Sequence, residues 1–150
     1  MKIKTGKFIK VIFFDLGETL VTADRQWMTG AQATLAALRE KGLRLGIISN
    51  TGNLKRAQLV EKLPPDFDFG DFEENLVILS SEVKVEKPDL KIFRLALKKA
   101  GADATECLFC TEEPTHIAAA KKAGFKTIQI SSPADIADLT GNLVKIGWLT

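Results

Sequence analysis

Apolar and polar positions fall in blocks along this chain. Five short apolar runs are separated by stretches whose apolar residues recur every three or four positions. The runs are FIKVIFFD (8–15), LRLGIIS (43–49), NLVILSS (75–81), ECLFC (106–110) and KTIQI (126–130). Near-continuous apolar character predicts strands covered on both faces. Between them, Met28, Ala31, Leu35 and Leu38 predict a helix that stops at Gly42. A shorter helix is predicted over 54–63, ended by Pro64 and Pro65. Ile92, Phe93, Ala96, Leu97 and Ala100 line one face of the next, with Gly101 as its C-cap. Pro114 opens a helix over 114–123 that Gly124 closes, and Ser132 caps a last short helix beginning at Pro133. The one long irregular connection, LPPDFDFGDFEEN (63–75), carries aromatics that predict packing onto the body.

Strand and helix in alternation predict an α/β fold. Its form is a Rossmann-like three-layer α/β/α sandwich around a mainly parallel five-stranded sheet. A length of 150 residues suits a single domain, 1–150. Composition adds little: 45% hydrophobic and 27% charged residues are ordinary for a globular protein. The net charge of +2 gives no case for nucleic acid. Lys2, Lys4, Lys7 and Lys10 form a basic arm that reads as a solvated lead-in to the first strand. No apolar run reaches membrane-spanning length, and Lys10 and Asp15 break up the signal-like start, so a cytoplasmic protein is expected. The two cysteines, Cys107 and Cys110, sit in a strand on opposite faces and read as small buried hydrophobes.

In open parallel sheets, ligands bind outside the carboxyl ends of the strands. Asp15 ends the first strand here, and Ser49 and Asn50 end the second. Lys87 follows the third, and Thr111, Glu112 and Glu113 follow the fourth. Most of these have plain readings. Ser49 and Asn50 can cap a helix, Lys87 can be a surface lysine, and Glu112 and Glu113 can face a helix dipole. Asp15 is harder to explain that way. A carboxylate at the end of a buried strand is costly unless a lysine or a metal meets it, so Asp15 and Lys87 are expected to be neighbours.

The stretches VIFFDLGETL, LGIISNTGN, SSEVKVEKPD and CTEEPTHIAAAKKAGF, taken in that order, resemble the four motifs of the haloacid dehalogenase (HAD) superfamily over nearly the whole chain. The resemblance implies a HAD-like phosphatase in which Asp15 is the nucleophile and forms an aspartyl-phosphate. It implies Mg²⁺ held by Asp15, the Gly17 carbonyl and Glu112, with Glu113 as the other acidic candidate. Ser49 and Asn50 would meet the phosphorylated substrate, Thr19 would orient the nucleophile's loop beside it, and Lys87 would neutralise charge. Two motifs depart from the pattern. Gly17 stands where family phosphatases carry an acid–base aspartate. Thr111, Glu112 and His116 replace the usual fourth-motif residues, and His116 reads as a surface or supporting group. Residues 20–48 and 51–86 leave no room for a cap domain. A capless site is open to bulky substrates, or to a neighbouring subunit of a homo-oligomer acting as lid. The alternative implied by the altered motifs is a non-catalytic HAD-like domain that binds a phosphorylated ligand or a protein partner.

Overall fold

The first apolar run becomes strand β1 at Val11–Phe14. It is shorter than 8–15 because Ile9 and Lys10 direct their amides to Trp148 and Glu106, while Phe8 is exposed. The computed structural model describes residues 8–150, so Lys2, Lys4 and Lys7 lie outside the described residues. The elements then follow in chain order: α1 (Ala31–Glu40), β2 (Arg44–Ser49), α2 (Arg56–Leu59), β3 (Val77–Leu79), α3 (Ser80–Val83), α4 (Leu90–Ala100), β4 (Cys107–Thr111), α5 (Pro114–Lys122), β5 (Lys126–Gln129), α6 (Pro133–Ala137) and α7 (Leu139–Ile146).

All five strands are parallel, in the order β3-β2-β1-β4-β5. Strand alternation divides the core in two. Ile12, Phe14, Leu45, Ile47, Leu108 and Cys110 face α1, α6 and α7. Val11, Phe13, Ile48, Cys107 and Phe109 face α4 and α5, where Phe93 meets Phe109 edge-on at 5.3 Å. The α/β/α sandwich is therefore present, and β1 lies at its centre. The two cysteines fall on opposite faces as expected. Burial raises both thiols, Cys107 to about 11, so neither is a ready thiolate.

Three sequence expectations need correction. The run 75–81 is a strand only at Val77–Leu79, and Ser80 turns the chain into α3. The cause is local. The Thr51 amide donates to Ser80 Oγ at 2.8 Å, and the Ser81 amide donates to Thr51 Oγ1 at 3.1 Å. These side-chain bonds replace the strand ladder. The helix expected over 54–63 is α2 alone, continued as a 3₁₀ turn at Val60–Lys62. The single short helix expected after Ser132 is two, because Leu139 and Leu143 give α7 a buried stripe of its own.

The long connection does pack down. Phe67 stacks on Trp27 at 5.3 Å, and Asp66 accepts from Trp27 Nε1 at 2.7 Å and from Gln32 Nε2 at 2.9 Å. This brings the segment against the loop between β1 and α1. Gly46, in β2, allows a close approach on the way: a β-carbon there would lie 2.7 Å from Leu76 and from the Phe13 ring.

Candidate active site at the end of β1

Asp15 is carried out of the sheet by β1, whose neighbour β4 takes the Asp15 amide through the Cys110 carbonyl at 3.0 Å. Its carboxylate is held at both oxygens. Oδ1 accepts the Leu16 amide at 2.8 Å. Oδ2 meets Lys87 Nζ at 2.6 Å and accepts from Thr111 Oγ1 at 3.2 Å. The Lys87 side chain is wholly buried, and that of Asp15 is 14% exposed. An ammonium so placed needs its partners. Besides Asp15 it donates to the Ile48 carbonyl at 2.9 Å and lies 5.3 Å over the Phe109 ring. Burial lowers the Lys87 pKa, and Asp15 and Glu112 oppose that shift. Lys87 is thus no surface lysine.

Asn50 grips the lysine's backbone rather than its side chain. Its Oδ1 accepts the Lys87 amide and its Nδ2 donates to the Lys87 carbonyl, both at 2.9 Å. The end of β2 and the residue that neutralises Asp15 are therefore locked together. Ser49 is buried and lines a cavity of about 590 Å³ together with Gly17 and Asn50. Thr19, expected beside the substrate, is instead fully buried, and its hydroxyl has no partner among the described residues. That places it inside the loop and away from the cavity.

Glu112 and Glu113 separate cleanly. Glu113 caps α5, accepting the Thr115 amide and hydroxyl at 3.3 and 3.0 Å. Glu112 is left as the acidic group near the lysine. His116 is half-buried, with Nδ1 unpartnered among the described residues. Burial first, and the Lys87 ammonium second, hold its pKa below the ordinary imidazole value. Among the described residues no three His, Cys, Asp or Glu side chains form a metal cluster. The Asp15 and Glu112 carboxylates with the Gly17 carbonyl are nonetheless an all-oxygen set, the donor chemistry of Mg²⁺. Gly17 is exposed, and no hydrogen bond among the described residues is directed at its carbonyl.

Sequence reasoning missed the part of Thr111, which orients Asp15, and the buried Thr51–Ser80–Ser81 network beneath the cavity. The signal was there: polar residues that end an apolar run at three strands on the same edge.

The sequence profile of haloacid dehalogenase-like hydrolases matches residues 3–130. The chain belongs to this family. Among HAD relatives, a glyceraldehyde 3-phosphate phosphatase of Pyrococcus abyssi is 39% identical over 100 residues, which is 66% of this chain and 40% of that enzyme. A phosphoglycolate phosphatase of Rhodospirillum rubrum is 31% identical over 102 residues, 68% of this chain and 40% of that enzyme. The chain thus spans about 40% of the length of these HAD relatives. A HAD-family enzyme of Bacteroides thetaiotaomicron shares the fold, with a TM-score of 0.73 at 20% identity over 89% of this chain and 99% of that one. Another structure of it, in complex with magnesium and inorganic phosphate, gives a TM-score of 0.66 at 20% identity, over 81% and 93% of the two chains.

Proposed function

We propose that this chain is a cytoplasmic, capless phosphatase that hydrolyses small phosphate monoesters through an aspartyl-phosphate on Asp15. The observation that carries the reading is the Asp15–Lys87 pair, a carboxylate fixed at both oxygens yet open on one side, with its counter-charge sealed beneath it. The relatives' names point the same way, since glyceraldehyde 3-phosphate and phosphoglycolate are small phosphate esters.

In the first step an Asp15 oxygen bonds to phosphorus. The ester P–O bond breaks, and its electron pair leaves with the alcohol oxygen. In the second step water bonds to phosphorus, the bond to Asp15 breaks, and inorganic phosphate and a proton depart. Thr111 and the Leu16 amide aim the carboxylate. Ser49 receives phosphoryl oxygens at the cavity floor, and Asn50 sets the position of Lys87. Asp15, the Gly17 carbonyl and Glu112 would hold Mg²⁺, which would supply positive charge to offset the phosphoryl oxygens. With Gly17 in place of an acid, the leaving oxygen receives no proton from that position. The reaction therefore favours esters whose leaving group is a weak base.

The test is turnover of an aryl phosphate. Activity is expected with Mg²⁺, to vanish with EDTA, and to return on adding the metal. Gly17 itself favours a second reading, a non-catalytic domain that binds a phosphorylated ligand. A folded chain that binds phosphate but turns over no ester at any Mg²⁺ concentration would establish it.

The lysine gives a pH signature. Its native pKa lies below that of the unfolded chain because burial disfavours the charge. Between the two values the unfolded state holds more protons, so stability rises with pH across that window. Activity needs the ammonium and falls across the same window. Rate profiles and thermal melts that run in opposite directions below the ordinary lysine pKa are the expected result. Parallel profiles would remove Lys87 from the mechanism.

A further inference from the structure

Water that attacks an aspartyl-phosphate must lose a proton. Gly17 has no side chain to take it, and the Lys87 ammonium has no lone pair. The residue after Gly17 has both. Glu18 sits in a turn whose backbone is fixed on either side. The Leu16 carbonyl accepts the amides of Thr19, Leu20 and Val21 at 3.2, 2.9 and 3.1 Å, and the Glu18 amide donates to the Val21 carbonyl at 2.8 Å. Glu18 holds φ at 59°, a left-handed conformation that costs a non-glycine residue energy. Gly17, which enters that region freely, lies outside it. For stability alone, the glycine and the glutamate stand in the wrong order. Backbone strain kept beside a reacting group points to a use for the side chain that bears it.

Glu18 lines two cavities. One is the cavity that holds Gly17, Ser49 and Asn50. The other, of about 640 Å³, has Glu112, Pro114, Gln129 and Ser131 in its wall. The first contains the seat for phosphoryl oxygens and the second the acidic group near Lys87, so Glu18 stands where the two halves of the site adjoin. It is exposed, and among the described residues its carboxylate has no hydrogen-bond or ion-pair partner. A solvated, unpaired carboxylate can take a proton from water but has none to give. Glu18 therefore suits the second step of the reaction and cannot stand in for the acid absent at Gly17.

We propose that Glu18 is the general base that activates water in the second step, an inference that rests on the phosphatase reading. The water oxygen bonds to phosphorus, and its proton passes to the Glu18 carboxylate. The bond between phosphorus and Asp15 breaks, and its electron pair returns to the Asp15 carboxylate. Inorganic phosphate leaves, and Glu18 gives the proton to solvent. The two steps are then served unequally: the second has its base, while the first lacks its acid.

The experiment is hydrolysis of an aryl phosphate with Mg²⁺ by wild type, Glu18→Gln and Glu18→Asp. Release of the aryl alcohol is followed by stopped flow, and the acid-quenched chain is weighed for a covalent phosphoryl group. In Glu18→Gln the second step should slow by on the order of 10²-fold. The result is a burst of about one aryl alcohol per chain, then slow turnover, with the phosphorylated chain accumulating. Because kcat/KM reports only the steps up to alcohol release, it should stay at the wild-type value while kcat and KM fall together. A merely structural role for Glu18 would not produce that split. Glu18→Asp returns the carboxylate one methylene shorter and should recover part of kcat. Wild-type kcat in Glu18→Gln overturns the proposal. So does a fall in kcat that kcat/KM shares, with no phosphorylated chain. In both of those cases wild-type turnover leaves the phosphatase reading standing. A wild type that releases no alcohol and takes up no phosphoryl group overturns that reading, and the role of Glu18 with it.

Discussion

Asp15→Asn is expected to lower phosphatase turnover by on the order of 10⁴-fold or more, the scale on which loss of a covalent nucleophile acts. An amide oxygen cannot carry the phosphoryl group, so residual activity should come only from water attacking a bound ester. The same change also touches the fold. Lys87 is wholly buried, and its counter-charge is gone. Breaking a buried pair at one partner costs about 3–5 kcal/mol, and the partly open Asp15 end puts the effect toward the low side. The double variant Asp15→Asn with Lys87→Met separates the two effects, because it removes both charges at similar volume. Its melting temperature should recover most of the loss while turnover stays absent. A single variant that keeps wild-type turnover would mean that Asp15 is not the nucleophile. A double variant no more stable than the single one would mean that the buried charge is not what destabilises it.

Gly17→Asp is expected to work in the other direction, raising turnover of alkyl phosphates by on the order of 10²-fold, the low end of what a positioned general acid supplies. The structure removes the obvious obstacles. A β-carbon at Gly17 meets nothing within 4 Å, and the residue is not in the left-handed region that glycine alone enters freely. An aspartate there fits the backbone as it stands, and Gly17 lines the cavity into which its carboxyl would reach. Alkyl phosphates, with strongly basic leaving groups, should gain far more than aryl phosphates. Steady-state rates on one ester of each kind decide the matter. Equal gains on both would point to better metal binding, and no gain with the fold and metal affinity intact would show that the missing acid is not what limits the rate.

Much of this was legible in the sequence because the decisive residues answer to local rules. The apolar runs at 8–15 and 43–49 could only be covered strands, and a carboxylate at the end of such a strand required a cation. That chain of reasoning reached Lys87 without a structure. The end of the third strand was not legible. Ser80 and Ser81 can close a strand or open a helix, and the choice is made by Thr51, a distant partner. Asn50 has a further role that the sequence hid for a related reason. An exposed asparagine at a strand end invites a ligand, and only the fold reveals that both halves of its amide are engaged by the Lys87 backbone. Thr19 shows the reverse case, a hydroxyl in a motif loop that the fold turns inward. The second C-terminal helix escaped notice because Gly141 interrupts its pattern.

The place of β1 between β2 and β4 has a consequence for how the protein comes into being on the ribosome. Asp15 is made early, yet the carbonyl that takes its amide and the hydroxyl that steadies its carboxylate belong to Cys110 and Thr111, in the last third of the chain. A nascent chain that has emerged only through Lys87 already owns the carboxylate, the lysine and the asparagine clamp, but β1 still has one bare edge. Such an edge tends to recruit a stray strand. Competence and protection against mispairing therefore arrive together, when β4 slides in beside β1, and translation pausing before that point would prolong the vulnerable interval.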